Sequence, residues 1–120
     1  MNSRMNTRKR GTQGEDAAVV YLERKGYRIL VRNFRFDRGE IDIVAEDCDR
    51  LVFVEVKTRR SKIYGHPEEA ITEAKCRQLW KVAEGYLFEH NLDDQNCRFD
   101  VVAIEYNNNI PVIRHIKDAF

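Results

Sequence analysis

Gly39-Glu40-Ile41-Asp42-Ile43-Val44-Ala45-Glu46, a polar turn at 47–50, then Leu51-Val52-Phe53-Val54-Glu55-Val56-Lys57-Thr58-Arg59-Arg60 is the stretch on which the rest of the chain turns. It reads as two neighbouring strands that carry charge where a plain core strand carries none. Asp42 sits between Ile41 and Ile43, and Glu55 and Lys57 flank Val56. Side chains alternate faces along a strand, so Glu55 and Lys57 share one face, and Glu40, Asp42 and Val44 are expected to share another. In a hairpin this short the two charged faces can meet. A carboxylate on one strand beside Glu-x-Lys on the next is the minimum equipment of a divalent-metal hydrolase. The carboxylates bind the ion, and the lysine orients a water or stabilises the transition state.

The chain has 120 residues, enough for one domain with a real core and no need of disulfide or metal staples. Hydrophobic residues make up 42% and charged residues 34%, a composition of globular proteins rich in surface charge. No apolar run approaches the roughly 20 residues that span a bilayer, and no apolar segment follows the basic N-terminus as in a secretory signal. Cys48, Cys76 and Cys97 are odd in number and widely spaced, which fits reduced thiols in a cytosol. The expected location is therefore cytoplasmic.

The net charge of +1 conceals a segregated distribution. Residues 1–38 hold ten Lys/Arg against four Asp/Glu, residues 39–56 hold six acids and one base, and residues 57–62 add four bases. A carboxylate cluster between basic stretches suits a site that holds a metal and meets a polyanion.

Residues 1–12 read as a disordered basic arm, and residues 13–120 as a single domain. The spacing predicts a helix over 13–25, with Ala17, Val20, Tyr21 and Arg24 on one stripe that Ala18 and Leu22 widen, Glu15 and Asp16 in its first turn, and Gly26 closing it. Strands are expected over 27–36, 40–46 and 51–58, joined by turns at Asp37-Arg38-Gly39 and 47–50 into an antiparallel meander. A loop over 59–67 and an ambiguous segment over 68–71 follow. Thr72 is placed to cap a helix from Glu73 to about His90, with Cys76, Leu79, Trp80, Val82, Ala83, Tyr86 and Leu87 on its buried face. A doubly buried strand over 97–106, parallel to the third because a helix crosses between them, leads to an edge strand over 110–117 that contains Pro111. The order α-β-β-β-α-β-β predicts a mixed five-stranded sheet with helices against it.

Glu-x-Lys alone is met mostly as an ordinary ion pair on a strand face. Its combination with Asp42 thirteen residues earlier, and with Arg59 and Arg60 directly after, is more specific. Other candidates are weaker. His66 lies in the loop after the site, where most histidines do no chemistry. Asp100 opens an apolar strand and fits a hydrogen-bonded structural role. Cys48, Cys76, Cys97, His90 and His115 have no zinc-ligand spacing. Trp80 and Tyr86 read as core rather than as base-stacking platforms. There is no phosphate-binding loop, dinucleotide fingerprint or nucleophile elbow, so no nucleotide cofactor is expected.

From about Gly11 to Phe120 the chain resembles the YraN-like family of small bacterial proteins. The resemblance rests on Gly14-Glu15-x-x-Ala18, Asn33-Phe34-Arg35, Gly39 to Ala45, Val52 to Arg59, and Arg98-Phe99-Asp100-Val101-Val102-Ala103. That family looks like a branch of the PD-(D/E)xK nuclease superfamily, close to the archaeal Holliday-junction resolvases. The resemblance implies a restriction-endonuclease-like core and a metal-dependent endonuclease acting on DNA, in particular branched or structured DNA. Asp42 matches the metal-binding aspartate, Glu55 and Lys57 the Glu-x-Lys pair, and Glu15 a helix-1 glutamate that joins the metal shell. The superfamily's proline before the aspartate is replaced by Ile41. Gln78 matches loosely a polar residue on the second helix, and Lys75 competes for that role. The implied cofactor is Mg²⁺ or Mn²⁺ and the implied partners are DNA, met by Arg59, Arg60, Lys62, Lys75 and Gln78, and a second copy of the chain. The alternative is a non-catalytic nucleic-acid-binding module on the same fold.

Overall fold

The structure, a computed structural model, describes residues 3–59, 71–92 and 96–120, with side chains from residue 13 onward. Its order is α1 (Ser3–Arg24), β1 (Arg28–Phe36), β2 (Gly39–Asp47), β3 (Arg50–Arg59), α2 (Glu73–Glu89), β4 (Cys97–Asn107) and β5 (Ile110–Ile116). This is the α-β-β-β-α-β-β order read from the sequence. Arg60, Lys62 and His66, and all but the last residue of segment 68–71, lie outside the described residues.

Helix α1 begins at Ser3, ten residues before the expected start, and so takes in most of the basic arm read as lacking structure. Arginine, lysine and methionine are good helix formers, and a helix already nucleated by packing extends through them at little cost. The longer helix moves Glu15 and Asp16 from the first turn to the interior, where they meet side chains rather than the helix dipole. The buried side falls within the expected stripe, at Ala18 and Leu22 with Ala17 and Tyr21 packed beside them. Ala18 and Leu22 are fully buried, whereas Val20 is 47% exposed. The helix closes as foreseen: Gly26 takes φ 94°, its N–H donates to the Glu23 carbonyl, and the Tyr27 N–H donates to the Leu22 carbonyl.

The sheet runs in the order β1-β2-β3-β4-β5. β1, β2 and β3 form the antiparallel meander, β3 and β4 are parallel, and β5 returns antiparallel at the edge with Pro111 opposite Tyr106. The hairpins close through residues with positive φ: Asp37 (55°), Cys48 (58°), and the pair Asn108 and Asn109 (51° and 66°), as a two-residue primed turn requires. Helix α2 is capped by Thr72, whose Oγ1 accepts from the Lys75 N–H at 3.1 Å, a contact that contributes about 1 kcal/mol. No helix among the described residues is long and apolar enough to cross a membrane.

Two cores sandwich the sheet. Ala18 and Leu22 of α1 pack with Ile43, Val52, Val54 and Val102 on one face. Leu79, Val82, Ala83 and Tyr86 of α2 pack with Ile41, Val44, Phe53 and Phe99 on the other. Trp80 and Tyr86 pack edge-on against Phe99 and Phe53, so they are core residues. Strand β4, covered on both faces, is buried from Arg98 to Glu105.

Candidate active site

The site forms where β2 parts from β3. Their pairing runs from Asp47↔Arg50 to Ile43↔Val54 and stops there, although both strands continue. The next position would set Asp42 against Glu55. Instead the Asp42 side chain replaces the missing ladder acceptor: the Val56 N–H donates to Asp42 Oδ2 at 2.8 Å. A carboxylate held by a backbone N–H has a fixed orientation, which suits a ligand better than a swinging surface acid.

The alternation expected on β2 fails here. Ile41 packs in the α2 core together with Val44, while Ile43 and Ala45 pack in the α1 core. Glu40, Asp42 and Val44 therefore do not continue one simple period-two face. β1 is irregular at the same level: Arg32 pairs with Ile43 and Phe34 with Ile41, so Asn33, at φ 56°, falls opposite Asp42.

Glu55 sits on β3 between the apolar Val54 and Val56 and is only 5% exposed. Lys57 Nζ lies 3.8 Å and Lys75 Nζ 4.0 Å from Glu55 Oε2. Burial first, then the Asp42 carboxylate hydrogen-bonded to it and repelling its charge, push the Glu55 carboxyl up to about 8; Lys57 and Lys75 pull the other way without prevailing. Asp42 and Glu55 are thus brought together, with two ammonium groups on one of them.

Glu15 arrives from α1. Gly14 allows it, because a Cβ there would come within 2.5 Å of Thr58 Cγ2, next to Lys57. Glu15 Oε1 accepts from Arg32 Nε at 2.9 Å and from Asn33 Nδ2 at 3.0 Å, and Asp16 Oδ1 accepts from Arg32 Nη2 at 2.6 Å. Glu15 is thereby tied to Asn33, the residue opposite Asp42, rather than to Asp42 and Glu55 themselves. Among the described residues no three His, Cys, Asp or Glu side chains gather as a preformed metal cage. One or two carboxylates with open positions is the donor set that Mg²⁺ accepts, since it retains waters and takes phosphate oxygens from its substrate.

Lys75 and Gln78 occupy different places: Lys75 Nζ lies 4.0 Å from Glu55 Oε2, while Gln78 borders a cavity beside Gly39. Arg59 ends β3 opposite Glu105 of β4. Sequence reasoning assigns Arg32 and Asn33 no role, because β1 carries Arg28 and Arg35 as well and nothing local sets Arg32 and Asn33 apart.

Asp100 belongs to a separate polar cluster on the α1 face of β4. Arg98 Nε donates to Asp100 Oδ1 at 2.9 Å, His115 Nε2 lies 2.7 Å from Oδ2, and the Asp118 N–H donates to Oδ1 at 3.0 Å. Arg98 also reaches Tyr27 and Asp47. The Tyr27 hydroxyl is pushed up to about 12, chiefly by burial. The structural role expected of Asp100 agrees with this fully buried, fully bonded position.

A model of the uncharacterised protein family UPF0102 matches residues 14–104, a stretch that contains Glu15, Asp42, Glu55, Lys57, Lys75 and Gln78. A UPF0102 protein of Persephonella marina is 49% identical over 111 residues, covering 92% of both chains. One from Geobacter metallireducens is 51% identical over 110 residues, covering 92% of this chain and 90% of its own. One from Caldicellulosiruptor saccharolyticus is 48% identical over 118 residues, covering 97% of this chain and all of its own.

Proposed function

The chain belongs to the uncharacterised protein family UPF0102, and on that premise we propose that it is a metal-dependent endonuclease that hydrolyses DNA phosphodiester bonds, with branched or structured DNA as the favoured substrate. The observation that carries this reading is the parting of β2 from β3 at Asp42, which sets one oriented carboxylate beside one buried carboxylate with two lysines against it. A purely structural ion pair has no use for the second carboxylate, which adds to the burial that pushes Glu55 up to about 8.

In this reading Asp42 and Glu55 hold Mg²⁺ or Mn²⁺, and Glu15 assists after exchanging its contacts with Arg32 and Asn33. The bound ion supplies a water acidified toward neutral pH and neutralises a phosphate oxygen. Lys57, on the same face of β3 as Glu55, orients that water and stabilises the charge that develops on the phosphoryl oxygens. Lys75 balances the charge of Glu55 and, with Arg59, Arg60, Lys62 and Gln78, meets the DNA. The free state of Cys48, Cys76 and Cys97 accords with a reducing, cytoplasmic compartment. A homodimer would present two such sites to a two-fold-symmetric junction.

The test is cleavage of linear, single-stranded and four-way-branched DNA in Mg²⁺ and in Mn²⁺, with Asp42→Ala in parallel. The expected result is metal-dependent cleavage by the natural chain and none by the variant. Equal activity of the two, or salt-sensitive binding with no cleavage of any substrate, sinks the nuclease reading.

A further inference from the structure

A cavity of about 480 Å³ lies in the notch between the β1–β2 hairpin and α2. The notch is built by two close approaches. A Cβ on Gly39 would come within 2.3 Å of Val82 Cγ2, and one on Gly85 within 2.3 Å of Phe36 Cγ, so the hairpin backbone rests on the Val82 side chain at one point and the Phe36 ring rests on the helix backbone at the other. Phe36 forms part of the wall. Phe88, one turn beyond Gly85, stands at the lip with 75% of its surface exposed. Arg38, Lys81 and Gln78, together with the carboxylates of Asp37 and Glu84, make up the polar part. Among the described residues neither Arg38 nor Lys81 is tied into an ion pair, unlike Arg28, Arg32, Arg35 and Arg77.

An exposed aromatic ring, an amide with donor and acceptor, and two uncommitted cations form a coherent set. The ring offers a face for stacking, the Gln78 amide can pair with the edge of a planar heterocycle, and the cations meet an anionic tail. The notch also adjoins the carboxylate pair. Gly39 precedes Asp42 by three residues on one strand, roughly 10 Å, and Gln78 follows Lys75 by one helical turn. We propose that this notch is a subsite for a single unpaired nucleobase, with Phe88 stacking on its face, Gln78 on its hydrogen-bonding edge, and Arg38 and Lys81 on the adjoining phosphates. This rests on the reading of Asp42 and Glu55 as a phosphodiester site, and it specifies the substrate further: a base inside an intact duplex cannot enter, whereas one at a bulge, a branch point or a single-stranded end can.

The test is a binding measurement that needs no cleavage. The full chain is titrated, in EDTA, into a labelled duplex with one bulged 2-aminopurine and into the fully paired duplex, reading anisotropy and 2-aminopurine fluorescence. The expected result is preference for the bulged duplex by about tenfold, with a fluorescence change on binding, and loss of that preference in Phe88→Ala, in keeping with the worth of one stacked base. Phe88 is exposed, so its removal leaves the fold in place. Lys81→Ala is expected to weaken the affinity and flatten its salt dependence. Equal affinity for the two duplexes, a bulge preference that survives Phe88→Ala, or no DNA binding overturns the subsite. A bulge preference lost in Phe88→Ala, in a chain that cleaves no DNA, upholds the subsite and refutes the nuclease reading.

Discussion

Among the described residues three carboxylates are buried on the adjacent central strands, and two of them, Glu55 on β3 and Asp100 on β4, have surroundings opposite in kind. Asp100 is fully buried and meets Arg98 through two nitrogens, His115 and a backbone N–H. Burial pushes its carboxyl up, but the hydrogen bonds from His115, Arg98 and Asp118 outweigh that and hold it below the usual carboxylate range. Glu55 is almost as deeply buried, yet it faces a second carboxylate and two lysines no closer than 3.8 Å, and it is held near 8. Full satisfaction marks a group whose work is to hold the fold. A carboxylate buried against its own kind, where a proton or a bound cation relieves the repulsion, marks a group suited to binding.

The contrast breaks most visibly if its structural half is wrong. Arg98→Ala leaves Asp100 buried without its main counter-charge and is expected to cost about 3–5 kcal/mol of stability in chemical denaturation. Glu55→Gln, at an equally buried place, is expected to cost less than about 1 kcal/mol at pH 7, because Glu55 is largely neutral there. Similar losses in the two variants would erase the distinction.

Its functional half is tested by activity. Lys57→Ala is expected to lower metal-dependent cleavage by about a hundred- to a thousandfold with little change in thermal unfolding, the scale for losing one transition-state charge. His115→Gln, on the Asp100 side, is expected to leave the cleavage rate within about threefold while lowering the melting temperature. Reversal of these two outcomes would move the chemistry to the other cluster.

The pH dependence sharpens the pair. Glu55 binds its proton more tightly folded than unfolded, since about 8 lies above its ordinary 4.5. Stability from its neutral form is complete below 4.5 and is lost as pH rises through about 8, by up to roughly 1.4 kcal/mol per pH unit within that window. Asp100 has the opposite sign: its contribution is present above 3.8 and is lost as pH falls below it. Unfolding midpoints of the natural chain and Glu55→Gln, compared from pH 5 to 9, are expected to diverge increasingly in favour of the variant, and Mg²⁺ is expected to close the gap. Parallel profiles would mean that Glu55 titrates normally. The smallest effect is expected at Arg32→Ala, which frees Glu15 at the cost of an exposed pair. It should lower stability by about 0.5–1 kcal/mol and lower the metal concentration needed for half-maximal cleavage.

The sequence by itself determined the seven elements, the meander, the parallel fourth strand and the edge position of the fifth, because each follows from local periodicity, turn residues and one helical crossover. It also exposed Asp42, Glu55 and Lys57, because charges inside apolar strands stand out without any structure. It placed the start of α1 ten residues late, since Gly11, Thr12 and Gly14 read locally as a boundary that the helix runs through, and it put Val20 and Arg24 on a buried stripe from which they face solvent. Only the tertiary structure decided where β2 leaves β3, that Asp42 fills the ladder at Val56, and that Lys75 rather than Gln78 reaches Glu55. It alone joined Glu15 to Arg32 and Asn33, and Arg98 to Asp100, Tyr27 and His115. Those contacts link residues up to 71 positions apart. They depend on register and side-chain direction across elements, which no local pattern encodes, and the difference between a carboxylate that holds the fold and one reserved for binding is made by those long-range partners.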